Sequence, residues 1–146
     1  MKKYRLTEET TKVGNRTLYR IQALRDFGNV TKGDIGGYIE AEKNLIQDGN
    51  AWVSDDARVS GDARVYGNAD IKTTGDICSM SGFGSEYRTT TAFRTKNGDV
   101  HVSCGCFQGN LEAFCQRVES THGNNLYGRE YKKMIEMLKI HFEVEP

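Results

Sequence analysis

The chain has no excess charge of either sign: 20 Lys and Arg stand against 20 Asp and Glu across 146 residues. Without a positive excess there is little field to condense onto a duplex polyanion, so double-stranded nucleic acid is not an expected partner. Long apolar runs are missing too. No stretch approaches the ~20 residues that span a bilayer, and a mean hydropathy of −0.63 describes a chain at home in water, with no membrane partner. "MKKYRLTEE" opens with two lysines but lacks the apolar core of a secretory signal, which places the chain in a cytoplasm. There Cys78, Cys104, Cys106 and Cys115 are expected as thiols. No C-x-x-C pair occurs, so these thiols and His122 lack the spacing of a zinc site, and neither metal nor cofactor is expected. A cysteine nucleophile working with His101 or His122 would need a polar, accessible setting, which the expected register of the cysteines denies it.

What the chain has in abundance is repetition. "GNAWVS", "DDARVS", "GDARVY", "GNADIK" and "TTGDIC" follow one another, with Val53, Val59, Val65, Ile71 and Ile77 in the fifth place and Phe83 keeping step. Two places earlier stand Ala51, Ala57, Ala63, Ala69 and Gly75. A helix cannot gather a period of six on one face, and a flat strand needs a period of two. Short strands joined by corners can, with the aliphatic residue pointing inward, the small one at the corner, and Gly, Asn or Asp turning the chain. The pattern resembles the left-handed hexapeptide-repeat β-helix. Five blocks make fewer than two triangular coils, so "NVTKGDIGGYIEAEKNLI" is expected to add an irregular first coil. The resemblance also implies packing of neighbouring subunits about a three-fold axis. Acyltransferases of this architecture use a histidine base, but His101, His122 and His141 all follow the repeat, and the stack is short for their cofactor groove.

Strand-like "KYRL" and "RTLYRIQAL" flank the turn residues "TKVGNR", which suggests a hairpin capping the open end of the coil. Farther on, Asn97-Gly98 lies between alternating apolar residues, the mark of a two-residue hairpin turn. With Lys96 opposite Asp99, the pairs Thr95/Val100, Phe93/Val102, Thr91/Cys104 and Thr89/Cys106 share an apolar face. The other face then carries Arg94/His101, Ala92/Ser103, Thr90/Gly105 and Arg88/Phe107. Asn110 looks like the N-cap of a helix burying Leu111, Phe114, Cys115 and Val118, which Gly123 closes. A second helix buries Tyr127, Tyr131, Met134, Ile135, Leu138 and Phe142 and leaves Arg129, Lys132, Lys133 and Lys139 outside. The expected fold is mostly β with C-terminal helices: a short left-handed parallel β-helix followed by an α+β module of a β-hairpin and two helices. Its expected parts are an N-terminal hairpin cap over 1–30, an oligomerising repeat over 31–83 and a ligand-binding module over 84–146.

"THGNNLYGRE" joins the two helices and brings His122, Asn124 and Asn125 together, with Tyr127 and Arg129 just after. A small anionic nucleotide calls for an aromatic plane, amides for the base edge and arginines for phosphate. Arg88, Thr90, Phe107, His122, Asn124 and Arg129 supply these if the loop folds over the polar face. The plainer account is a solvated face beside an interhelical turn with Gly123 as its C-cap.

"GSEYRTTTAFRTKNGDVHVSCGCFQGNLEAF" followed by "THGNNLYGREYKKMIEMLKIHF" resembles the C-terminal module of small phage and prophage proteins, and is similar to the phage-encoded Thoeris anti-defence sponges of the first described type. The resemblance covers about the last 65 residues. It implies capture, without cleavage, of the glyco-cyclic ADP-ribose signal made by host TIR proteins, in pockets between subunits. It assigns Arg88 to phosphate, Phe107 or Phe114 to base stacking and Asn124 to base or ribose, with His122 and Arg129 beside them. A separate site for cyclic oligonucleotides would draw on Arg58 or Arg64. The expectation is a non-enzymatic protein with no catalytic residue, a trimer or dimer of trimers in the cytoplasm of an infected bacterium. The alternatives are a structural β-helix scaffold, a virion-associated oligomerisation protein or a nucleotide-processing enzyme.

Overall fold

The computed structural model describes residues 2–144. The chain forms a β-rich body followed by two helices. β1 (Tyr4–Val13) and β2 (Arg16–Ala23) make the N-terminal hairpin, and Gly14, at φ 60, takes the left-handed turn position that a side chain would resist. β2 pairs next with β3 (Ile35–Ile39), which carries Gly36 and Gly37. A Cβ at Gly36 would lie 2.6 Å from the Trp52 ring and from Val53 O, and one at Gly37 would lie 2.6 Å from Ala57 O. The glycines therefore allow the hairpin to close on the repeat.

Within the repeat, β4 (Trp52–Val53), β5 (Arg58–Val59) and β6 (Asp70–Ile71) are two-residue strands. Tyr38 pairs in parallel with Arg58, Leu45 with Val65, and Trp52 with Asp70, so the chain comes back alongside itself after about three hexads. Val53, Val59, Val65, Ile71 and the alanines 51, 57, 63 and 69 are all buried in one core with Ile39 and Leu45. The period of six thus buries its aliphatic and small positions as expected. Asn44 holds a corner: its Nδ2 donates to Gly61 O and Ala63 O, and its Oδ1 accepts from the Glu40 and Ala41 amides. The sheets remain open, with strand orders β1-β2-β3-β5 and β4-β6, and these short pairs do not define a left-handed β-helix.

After Ile71 the pattern changes. β7 (Ile77–Phe83), read from the sequence as a continuation of the repeat, pairs antiparallel with β8 (Arg88–Arg94). β9 (Val100–Cys104) and β10 (Phe107–Asn110) complete a four-stranded sheet, order β10-β9-β8-β7. α1 (Leu111–Thr121) and α2 (Leu126–His141) follow, capped by Asn110, whose Oδ1 accepts from Ala113 N at 2.8 Å, and by Asn125, whose Oδ1 accepts from Gly128 N at 2.9 Å.

The β8–β9 register corrects the expected one by a single residue. Arg94 pairs with Val100, Phe93 with His101, Ala92 with Val102, Thr91 with Ser103 and Thr90 with Cys104. Gly98 N donates to Thr95 O and Thr95 N donates to Asp99 O, with Gly98 at φ 84. The connection is therefore a three-residue loop, Lys96-Asn97-Gly98, with a left-handed last residue. A slip of one residue moves each side chain to the other face. Phe93 packs in the coil core, whereas Ala92, Val102 and Cys104 pack under the helices, so the sheet is buried on both sides. A second correction lies at Gly105 and Cys106, which turn the chain into β10; Cys106 is exposed and does not share an apolar face with Cys104.

Lys3 is fully buried where the hairpin meets the repeat, its Nζ donating to Ala51 O at 2.6 Å and lying 5.1 Å from the Phe27 ring centroid. Burial, with Arg25 and Lys96 nearby, lowers its pKa from 10.5 to about 8. Below about pH 8 the ammonium is charged in both states; as pH climbs from there towards 10.5 the folded chain sheds the proton first. The unfolded chain then binds more protons, so stability rises with pH across that window. The urea midpoint should increase from pH 8 to ~9.5, and Lys3→Met should flatten that increase.

Candidate functional site

A cleft opens where the β9–β10 turn faces the junction of α1 and α2. Arg88, the first residue of β8, lies across this turn: a Cβ at Gly105 would fall 2.5 Å from Arg88 Nη1. Gly105 also sits at φ 60, so the position favours glycine on both counts. Arg117 projects from α1, its guanidinium 5.2 Å from the Phe107 ring centroid. No ion pair among the described residues includes Arg88 or Arg117.

The wall of the cleft is a chain of rings. Phe107 meets Phe114 at 5.4 Å, Phe114 meets Tyr131 edge-on at 5.7 Å, and His122 stacks on Tyr131 at 5.8 Å with 22° between planes. Tyr131 Oη donates to Phe83 O and lies 3.6 Å from Cys104 Sγ. Burial is the main cause that raises the Tyr131 phenol above its ordinary pKa, so the hydroxyl stays protonated and neutral. Two guanidinium groups beside an aromatic wall suit a ligand that is both anionic and planar. The cavity holds about 110 Å³, against the ~300 Å³ or more of typical ligand pockets. It is too small to enclose a whole nucleotide.

Of the sequence-derived candidates, Arg88, Phe107, Phe114 and His122 line this cleft together. Phe114 is both core and wall, being 2% exposed. Thr90 requires correction: it is 1% exposed, on the helix-covered face, and its Oγ1 donates to Cys104 Sγ at 3.3 Å. Phe107 also leaves the polar face assigned to it, because β10 turns it under the helices. Asn124 is exposed outside the cleft, and its Oδ1 accepts from Lys132 Nζ at 2.7 Å. Arg129 lines a different groove, with Met80, Phe83 and Met137. Arg58 and Arg64 are exposed on the repeat; Arg58 Nη2 reaches Thr11 Oγ1 at 3.5 Å, while Arg64 N donates to Thr91 Oγ1 at 3.0 Å. The sequence reading missed Arg117, although it stands one helical turn after Phe114 and so projects beside it.

Among the described residues, no cluster of three His, Cys, Asp or Glu side chains is placed to hold a metal, and no helix is long and apolar enough to cross a membrane. No protein-family model matches the chain. The chain is similar to a protein of Escherichia coli strain K12 called the uncharacterized acetyltransferase YdcK, with 40% identity over 63 residues. The match takes in 38% of this chain and 19% of that one, so the chain spans well under two thirds of that relative.

Gly128 fixes the corner that carries His122. A Cβ there would collide with Gly123 O and come within 3.3 Å of His122 Cβ. Gly128→Ala should cost about 1–3 kcal/mol through overpacking, read as a melting temperature lower by roughly 3–10 °C. Lys133→Ala, at an exposed position of the same helix, should leave it nearly unchanged.

Proposed function

We propose that this chain captures a small cyclic nucleotide in the cleft between Arg88 and Arg117 and holds it without breaking it. The observation that carries the reading is the pair of guanidinium groups, both without a carboxylate partner among the described residues, beside the Phe107, Phe114, Tyr131 and His122 rings. Arg88 and Arg117 take phosphate through charge-assisted hydrogen bonds, and a base or ribose lies against the rings. The single-chain cleft is smaller than a nucleotide, so a neighbouring copy completes it. In this proposal the chain is a phage anti-defence sponge of the Thoeris type, working in the cytoplasm of an infected bacterium. Glyco-cyclic ADP-ribose is its ligand, with cyclic oligonucleotides as a second class held near Arg58 and Arg64. The repeat is then a short left-handed β-helix that packs about a three-fold axis.

Sequestration needs no general base. His101 lies beside the Tyr66–Phe93 pair, His141 Nε2 meets Gly75 O at 2.7 Å, and His122 is stacked on Tyr131 in the cleft wall. The match to part of a chain called an acetyltransferase favours a second reading, in which a coil-forming segment is shared and the chain is an assembly scaffold.

Calorimetry with glyco-cyclic ADP-ribose, cyclic trinucleotides and acetyl-coenzyme A separates these readings. Binding of a cyclic nucleotide is expected, with intact ligand returned after heat denaturation. Arg88→Ala should weaken it about 10- to 100-fold, the loss of a charged hydrogen bond, with oligomer mass unchanged. An altered nucleotide would make the chain an enzyme, acetyl transfer would make it an acyltransferase, and no heat with any nucleotide would leave the scaffold.

A further inference from the structure

A cluster of cations stands outside the cleft, where the hairpin, the coil and the β8–β9 loop converge on Phe27 in the coil core. Lys3 Nζ lies 5.1 Å and the Arg25 guanidinium 5.6 Å from the centroid of that ring. Lys96 comes onto the next residue, because a Cβ at Gly28 would collide with Lys96 Nζ and fall 3.6 Å from Asn50 Cβ. Gly28, at φ 50, leaves the space that this ammonium fills. The backbone fixes Lys96 there, its amide donating to Asn68 O at 3.0 Å.

These charges are not neutralised. Among the described residues no ion pair includes Lys3, Arg25 or Lys96, whereas Lys2, Lys43, Lys72, Lys132 and Lys133 each meet a carboxylate. Asp26 is engaged elsewhere, its Oδ1 accepting from Lys32 N. After the larger effect of burial, Arg25 and Lys96 both push the Lys3 pKa down, and Asp48 alone acts the other way. Three cations therefore share one field with a single acid to oppose them. Gathered like charges repel, and an anion seated among them would remove that cost. Lys3 is walled in and gives its hydrogens to Ala51 O and Asp48 O, so it supplies field only. Arg25 Nη2 makes one long contact, 3.5 Å to Gln47 O, and Lys96 is exposed, so donors on both remain for a ligand.

We infer that Arg25 and Lys96, with Lys3 behind them, form a binding site for a phosphate dianion, either inorganic phosphate or the monoester group of a small molecule. A guanidinium takes two phosphate oxygens side by side, and a lysine ammonium takes another as a point charge. Three cations less Asp48 leave two positive charges, which a dianion cancels and a carboxylate only halves. Phe27 and Trp52 are each 6% exposed, so neither ring is free to stack on a base. The site recognises the phosphate itself, and its occupant would tie the end of the hairpin to the β8–β9 loop.

Trp52 is the only tryptophan and meets Phe27 edge-on at 5.3 Å, so its fluorescence reports this site and not the cleft. The test is thereby independent of the nucleotide reading. At about pH 7.5 a phosphate monoester is mostly dianionic and Lys3 is mostly charged. At constant ionic strength, inorganic phosphate should then change the Trp52 emission saturably, with half-saturation below ~1 mM and the same constant by calorimetry. Acetate and chloride should give no such response. Arg25→Gln and Lys96→Gln should each weaken binding about 10-fold or more, while Lys133→Gln leaves it as in the wild type. AMP separates the two sources: a response equal to or tighter than that of phosphate assigns the site to a monoester, and a response to phosphate alone assigns it to the free ion. No saturable binding of either by both readouts, a response matched by acetate, or one unmoved by both substitutions would overturn the inference.

Discussion

The double burial of β8 is the constraint on which the rest of the structure depends. Phe93 and Thr91 face the coil, while Thr90 and Ala92 face the helices, and all four are buried. Phe93 packs edge-on against Tyr66 at 5.1 Å, and Tyr66 Oη donates to Val102 O at 2.9 Å, which ties the last coil to the sheet. Lys96 N donates to Asn68 O at 3.0 Å, and Ala69 bridges Thr95. One extra loop residue is enough to decide this arrangement. If the pairing slipped by one, Phe93 would be driven into the helices and the alanine would leave the coil core unfilled. Removal of a buried phenylalanine typically costs about 3–5 kcal/mol, so the repacking has a large incentive to hold its register.

The cleft inherits its geometry from that sheet. Arg88 begins β8, Phe107 begins β10, and the two are brought together by the turn at Gly105 and Cys106. The contrast with Arg20 shows what an arginine used for structure looks like here. Its guanidinium donates to Glu9, Asp56, Tyr38 Oη and Gly36 O, and lies 4.3 Å from the Tyr38 ring centroid. Arg20 stitches β2 to the repeat, and its donors are spent. Arg88 and Arg117 have no carboxylate partner among the described residues. Held on a strand and a helix, these groups need little rearrangement to meet an anion, which lowers the ordering cost of binding.

The parts legible in the sequence were those set by local sterics. Val53, Val59, Val65 and Ile71 recur at a spacing that only a coiled chain can bury, and Asn110 precedes an apolar helical stripe. The hairpin register was not legible, because Asn97-Gly98 fits two turns equally well. In the two-residue turn both residues are left-handed; in the three-residue loop only Gly98 is, and the choice lies with Asn68 and Phe93, far away in sequence. From that slip follow the misplacement of Thr90 and the missed exposure of Cys106. Asn124 and Arg129 share a loop with His122, but a helix N-terminus fans its side chains around the axis, and only His122 points back to the cleft.

A repeat of fewer than two coils ought to depend on neighbours for its core, yet much of the closure comes from within the chain. Tyr4, Ile21 and Phe27 enter that core from the hairpin side, Trp52 meets Phe27 at 5.3 Å, and Phe93 enters from the sheet. Lys3 lies against the same end, satisfied by backbone carbonyls instead of a carboxylate. The coil is sealed largely by its own flanking elements; Met137, Ile140 and Phe83 are exposed beside the uncharged edge of β7, while Ile35 and Ile46 stay exposed on the hairpin and coil side. The repeat therefore acts less as an autonomous stack than as one half of a sandwich whose other half is the C-terminal module.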